Sequence, residues 1–150
     1  MTLENLLRIG KLKPHAADKA EIERLVAAAG RSLRDADVVG LSSDSRLDLA
    51  YKAIMQSALV AMLAAGYRPS TSEPGHHQTM IQSLPLTLDA PNDVWVVLDA
   101  MRRQRNANDY TGNPITTDTA NECIAQARSL RAKLHTHLAA QRPDLLKNSR

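Results

Sequence analysis

Apolar positions recur at three- and four-residue spacing through most of the chain, the signature of amphipathic helices. Ile22, Leu25, Val26, Ala29, Leu33 and Ala36 form one such stripe and predict a helix over residues 19–39. Asp18, with Glu21 three residues on, reads as its N-cap, and Gly40 as its stop. A second helix is expected over residues 46–65, capped by Ser45 with Asp48 three residues on, and ended by Gly66. Leu47, Tyr51, Ile54, Met55, Ala58, Leu59, Met62 and Leu63 make it apolar almost all round towards its C-terminal half, so it should be the central, most buried element. Residues 67–75 carry turn chemistry and read as a polar loop. A short helix over residues 76–84 follows, closed by Pro85. Asp89-Ala90-Pro91 opens a helix over residues 92–108, and Thr111-Gly112-Asn113-Pro114 breaks the chain again. The last helix, residues 118–140, has Thr116 or Thr117 as cap and Ala120, Ile124, Ala127, Leu130, Leu134 and Leu138 as its stripe. Strand-like alternation, internal repeats and sustained heptads are not evident. The expected fold is all-α: an antiparallel four-helix bundle with an additional short helix.

Composition sharpens this only a little. At 150 residues the chain suits one domain with a real core. The expected division is an N-terminal arm over residues 1–17, a helical bundle over 18–142 and a frayed tail over 143–150. The arm, with Leu3, Leu6, Leu7 and Ile9 ahead of Lys11 and Lys13, either folds back on its own domain or packs on a partner; folding back is the simpler expectation. Phe is absent, so the core must be built from Leu, Ile, Val, Met and Ala. The net charge of +3 permits a polyanionic partner without requiring one. Cys123 is the only cysteine, so no disulfide forms within the chain, and it reads as a buried small hydrophobe. The absence of a signal-like start or a long uninterrupted apolar run points to a cytoplasmic protein with no membrane span.

Candidate chemistry concentrates at residues 102–110, Arg-Arg-Gln-Arg-Asn-Ala-Asn-Asp-Tyr. Counting 100° per residue from Val94, Arg105 falls at about 20°, on the apolar stripe of Val94, Val97, Leu98 and Met101, whereas Arg103 falls at about 180°, towards water. A guanidinium on a core stripe must find a carboxylate, a phosphate or a wet cleft. Arg105 and Asn106 therefore read either as a phosphate-holding pair or as part of an ion pair with Asp99, Asp109 or Glu122. Tyr110 reads as a surrogate acid or phosphate donor, or as a helix-end tyrosine with a satisfied hydroxyl. Arg102 and Arg103 offer a solvated face or phosphate steering. His76 and His77 open a helix, where they either approach Arg105 and supply an imidazole or serve capping and packing. His135 and His137, two apart on a helix, point to different faces, so no metal site is expected from them.

Taken together, the helix order and the segments Leu49-Ala50-Tyr51-Lys52-Ala53-Ile54-Met55-Gln56-Ser57-Ala58-Leu59, Gly66-Tyr67-Arg68-Pro69, Gly75-His76-His77 and Arg105-Asn106 resemble the HEPN superfamily of small all-α proteins. The resemblance covers roughly residues 18–140. Its hallmark is an arginine, often followed by asparagine, with four to six residues between that arginine and a histidine. Here Tyr110 stands in that place if Arg105 is the anchor, and Asn108 if Arg103 is, so the usual histidine is missing in either register.

The resemblance implies an RNA-targeting component of a toxin–antitoxin or defence-type module, a homodimer through the face of the helix that carries Arg105, and metal-independent RNA cleavage without a cofactor. The implied catalytic residues are Arg105, Asn106 and Tyr110, with Arg102, Arg103 and His77 binding phosphate. It leaves open a non-catalytic alternative, a nucleotide-binding or adaptor module that partners an antitoxin or a nucleotidyltransferase. DNA binding through a helix-turn-helix is a distant third, because no short-turn helix pair with a basic recognition face is visible.

Overall fold

The computed structural model describes residues 1–72 and 74–146. The described residues are mostly helical, with one small sheet. In chain order they form α1 (Leu3–Arg8), β1 (Leu12–Pro14), α2 (Lys19–Ala36), α3 (Ser43–Ala64), β2 (Tyr67–Pro69), α4 (His76–Gln82), α5 (Leu84–Thr87), α6 (Asn92–Thr111), α7 (Thr117–Gln141) and a 3-10 turn at Pro143–Leu145.

The expected stripes are the buried ones. On α7 Ala120, Ile124, Ala127, Leu130, Leu134 and Leu138 are all buried. On α2 Ile22, Ala29, Leu33 and Ala36 are buried, with Leu25 and Val26 packed on the core from its edge. α3 is the central helix, packed chiefly against α2 and α7. By length and apolar composition it is able to cross a membrane, yet 72% of its most apolar window is buried inside the protein. From Leu47 to Ala64 only Asp48, Leu49, Lys52, Gln56 and Leu59 escape full burial. These five lie on one side of the helix at three- to four-residue steps.

Several boundaries differ from the sequence expectation. α2 stops at Ala36 because Arg46 Nε donates to the Ala36 carbonyl (3.1 Å), while Val39 beyond it is 98% exposed and has no core to join. α3 begins at Ser43, not 46: of the neighbouring serines it is Ser42 whose hydroxyl accepts from the Ser45 N–H (3.1 Å). Pro85 does not close α4; it sits in the first turn of α5, where a missing N–H costs nothing. α6 runs on to Thr111, so Tyr110 is helical, and Gly112 with φ +70° ends it. A left-handed residue there lets the Gly112 N–H reach the Asn108 carbonyl, a conformation glycine adopts without strain.

The arm folds back, and it does so partly as a strand. β1 pairs antiparallel with β2, with Leu12 opposite Pro69 and Pro14 opposite Tyr67. Strands of three residues are too short to display a two-residue period, which is why the alternation was not legible. Leu6 and Leu12 are buried. The expected frayed tail is also corrected for its first residues: Leu145 is 3% exposed, and Arg142 Nη1 donates to the Ala64 carbonyl (2.8 Å) at the end of α3. Lys147–Arg150 lie outside the described residues.

If the arm is part of the core, Leu12→Ala will cost about 2–5 kcal/mol in denaturant unfolding, whereas truncation of a loosely attached arm would leave the midpoint almost unchanged.

Candidate functional site

Two carboxylates one turn apart on α3 hold the end of α6. Asp44 accepts from the Ile115 N–H (2.7 Å) and from the Asn108 amide (3.1 Å), which ties the start of α3 to the α6–α7 connection. Asp48, four residues on, faces Arg105, with Oδ1 3.4 Å from Nε. This is an ion pair by distance but not a hydrogen bond by angle, and Arg105 Nε is buried without an acceptor. Asp109 Oδ2 stands 3.9 Å from Arg105 Nη1.

The Arg105 side chain is one-third exposed and lies with Cζ 4.9 Å from the centroid of the Tyr51 ring, within cation–π range. The Tyr51 ring is buried, but its hydroxyl reaches His77 Nδ1 at 3.2 Å. His76 packs edge-on to His77. Arg105 from α6, Tyr51 from α3 and His77 from α4 thus form one continuous cluster.

Burial pushes the Tyr51 phenol above its ordinary value, only partly offset by the Arg105 and Arg102 guanidiniums, so the hydroxyl stays protonated at neutral pH. Burial also pushes the His77 imidazole down, helped by His76, Arg105 and Arg102. His77 is therefore a neutral ring near pH 7. Its bond to the Tyr51 hydroxyl selects which ring nitrogen carries the proton.

The cluster opens into a groove of about 1070 Å³ between α2, α3 and α4. The partly uncovered side of α3 contributes Asp48, Lys52, Gln56 and Leu59 to it. Arg24 and Arg31 from α2 and Arg68 from β2 add positive charge. The acidic lining residues already have partners: Glu21 accepts from His15 Nε2 (2.9 Å), and Asp48 faces Arg105. The groove is therefore cationic, with an apolar floor that includes Met55 and Leu59. Gln56 Oε1 is buried with no hydrogen-bond partner.

The residues singled out from the sequence divide into two groups. Arg105 and His77 come together in the groove. Arg102 is nearby, mostly covered, and held by Asp99 (Nε–Oδ1 2.8 Å); its influence on Tyr51 and His77 is through charge. Arg103 is 65% exposed and leans on the same Asp99 at 3.7 Å. Asp99 thus serves Arg102 and Arg103, not Arg105, whose carboxylates are Asp48 and Asp109. Asn106 is half-buried on α6 and does not line the groove. Tyr110 is 90% exposed and is not brought to Arg105; five residues on, it stands about 140° round the helix.

From the sequence Tyr51 belongs to the core and Asp48 to the cap at Ser45, whereas the structure turns Asp48 to Arg105; Asp44 and the groove cations are not among the candidate site residues. A signal was available: Arg24 and Arg31 fall on one face of α2 with Ala28 between them, and Asp48, Lys52 and Gln56 interrupt an otherwise apolar α3 at four-residue spacing. Cys123 is fully buried, its thiol pushed up to about 12 by burial, so it is no nucleophile. Among the described residues no group of three or more His, Cys, Asp or Glu side chains stands ready to hold a metal ion.

No known protein family, curated protein or solved structure matches this chain.

The His77 environment sets a pH signature. Its pKa is lowered on folding, so below the unfolded value of about 6.5 the unfolded chain binds a proton that the folded chain resists. The stabilisation from the neutral ring is present above that value and is lost as pH falls through it towards the folded pKa. An NMR titration should place the His77 midpoint below that of an unfolded-chain histidine, and Arg105→Gln should move it upwards. A midpoint at or above the reference value contradicts this environment.

Proposed function

We propose that the groove binds single-stranded RNA through its phosphodiester backbone, and that Arg105 and His77 cleave it without a metal ion. The observation that carries this reading is the contiguous Arg105–Tyr51–His77 cluster at the edge of a cationic groove. Arg24, Arg31, Lys52 and Arg68 suit a polyanion that runs along the groove. In this reading His77 replaces the histidine missing from the α6 motif. Neutral His77 accepts the proton of a 2′-hydroxyl as that oxygen attacks the adjacent phosphorus; the bond to the 5′-oxygen breaks, and a proton from water completes the leaving hydroxyl. Arg105 balances the charge gathering on the phosphoryl oxygens. Tyr51 is a positioning residue: it backs the guanidinium and orients the imidazole.

The HEPN-like assignment belongs to the same proposal. Its support is the order of α2, α3, α6 and α7, read as an antiparallel four-helix bundle, together with Arg105-Asn106 on α6. A homodimer through α6 is supported by Val96, Arg103 and Tyr110, which recur every seven residues and are all exposed. A role in a toxin–antitoxin or defence-type module, in the cytoplasm, follows from that assignment.

One observation favours the non-catalytic reading: Arg105 is already flanked by Asp48 and Asp109, so part of its charge is neutralised before any ligand arrives. That reading makes the groove a nucleotide or adaptor site for an antitoxin or nucleotidyltransferase partner.

Purified protein mixed with single-stranded RNA in chelator decides between them. Arg105→Gln should weaken RNA binding roughly 10-fold or more and lower the slope of log affinity against log salt by about 1. His77→Asn should abolish cleavage while binding persists, and Tyr110→Phe should change neither. Binding without cleavage by the wild-type protein leaves the adaptor reading; no binding at any salt removes the RNA reading altogether.

A further inference from the structure

α2 separates the groove described above from a second one. Leu25, Ala28 and Arg31 face the first, whereas Val26, Gly30, Leu33 and Arg34 face a depression of about 840 Å³ between α2 and α7. α7 supplies Arg128, Arg131 and His135 to it, at three- and four-residue steps along one helical face. No carboxylate lines this depression among the described residues. Asp37, just outside the lining, pairs with Arg128 and offsets one of the three guanidiniums.

Arg131 is the unusual member. It lies across α2 at Gly30, where a Cβ built on the glycine would meet Arg131 Nη2 at 2.9 Å; glycine is what allows the guanidinium to lie this close to the helix. A guanidinium has five N–H donors. Here the hydrogen bond it makes among the described residues is from Nη2 to the Val26 carbonyl (3.3 Å), and its Nε is buried without an acceptor. An under-bonded guanidinium with uncompensated charge is a site waiting for an anion. The floor beneath is aliphatic, with Leu134 and Leu138 buried at its base.

We propose that this depression is a second ligand site, for a small phosphomonoester whose body has a flat face that packs on aliphatic side chains, as the base of a nucleoside monophosphate does. Arg131, Arg128 and Arg34 hold the phosphate dianion, because forked guanidiniums match phosphate oxygens in pairs. The aliphatic floor carries the body of the ligand. The site stands independently of the RNA reading: it shares no lining side chain with the Arg105 groove.

The test uses the full chain carrying Arg105→Gln, so that phosphate binding in the first groove is weakened. AMP and inorganic phosphate are titrated in chelator, with 1H–15N spectra recorded alongside calorimetry. AMP should bind saturably, more tightly than inorganic phosphate, and shift amides around residues 26–34 and 128–138. Arg131→Gln should weaken AMP at least 10-fold. Ala132→Glu, which adds a carboxylate at an exposed lining position and leaves the core untouched, should do the same if Arg131→Gln perturbs folding. AMP binding that survives both substitutions, or no saturable AMP binding at millimolar concentration, overturns the site. Equal affinity for AMP and inorganic phosphate overturns the role of the aliphatic floor in holding the body of the ligand.

Discussion

The structure depends on the near-complete burial of α3. Thirteen of its residues are buried, and an apolar helix of this kind is stable only while other elements cover it. α2 and α7 cover its long sides, α4, α5 and α6 cover much of the rest, and β2, paired with β1, follows its C-terminal end. Even the residue that follows α7 contributes, through the Arg142 bond to the Ala64 carbonyl. What remains only partly covered is the line of Asp48, Leu49, Lys52, Gln56 and Leu59, and that line becomes the wall of the candidate site. The core and the groove are therefore two consequences of one packing arrangement.

The same helix sets the electrostatics. Asp44 and Asp48 project from its first turns towards α6, one fastening the α6–α7 connection and the other facing Arg105. Tyr51, one turn further, backs the guanidinium with its ring and touches His77 with its hydroxyl. Asp99, buried on α6, holds Arg102 and steadies Arg103. Carboxylates thus position the arginines of α6, while the cations facing the groove from α2 and β2 are available to a ligand. α2 turns one basic flank to each groove, so a chain with a net charge of only +3 presents two regions of concentrated positive charge.

Much of the fold was legible in the apolar spacing. The stripes of α2 and α7, the central place of α3 and the stop at Gly66 follow from periodicity and capping. The ends were less legible because several residues compete for each cap: Ser42, Ser43 and Ser45 all qualify by type, and only the packing of the turn selects Ser42. The β1–β2 pairing was invisible because Leu12 and Pro69 are 57 positions apart in the chain, and a three-residue strand carries no period of its own. Tyr110 shows the limit of spacing within a motif. Its position relative to Arg105 drew notice, but a continuous α6 turns it outward into water.

By itself the sequence determined which segments are helical, which faces are apolar and that Arg105 sits on an inward-turned face, because these depend on contacts within a few residues of chain. Tertiary structure alone decided that His77 stands beside Tyr51 and Arg105, that Asp48 rather than Asp99 faces the arginine, and that Gly30 admits Arg131 against α2. Those meetings join residues 26 to 101 positions apart, and no local period encodes the approach of one helix to another. It is set by which faces must be hidden from water and by how side chains fit once they are.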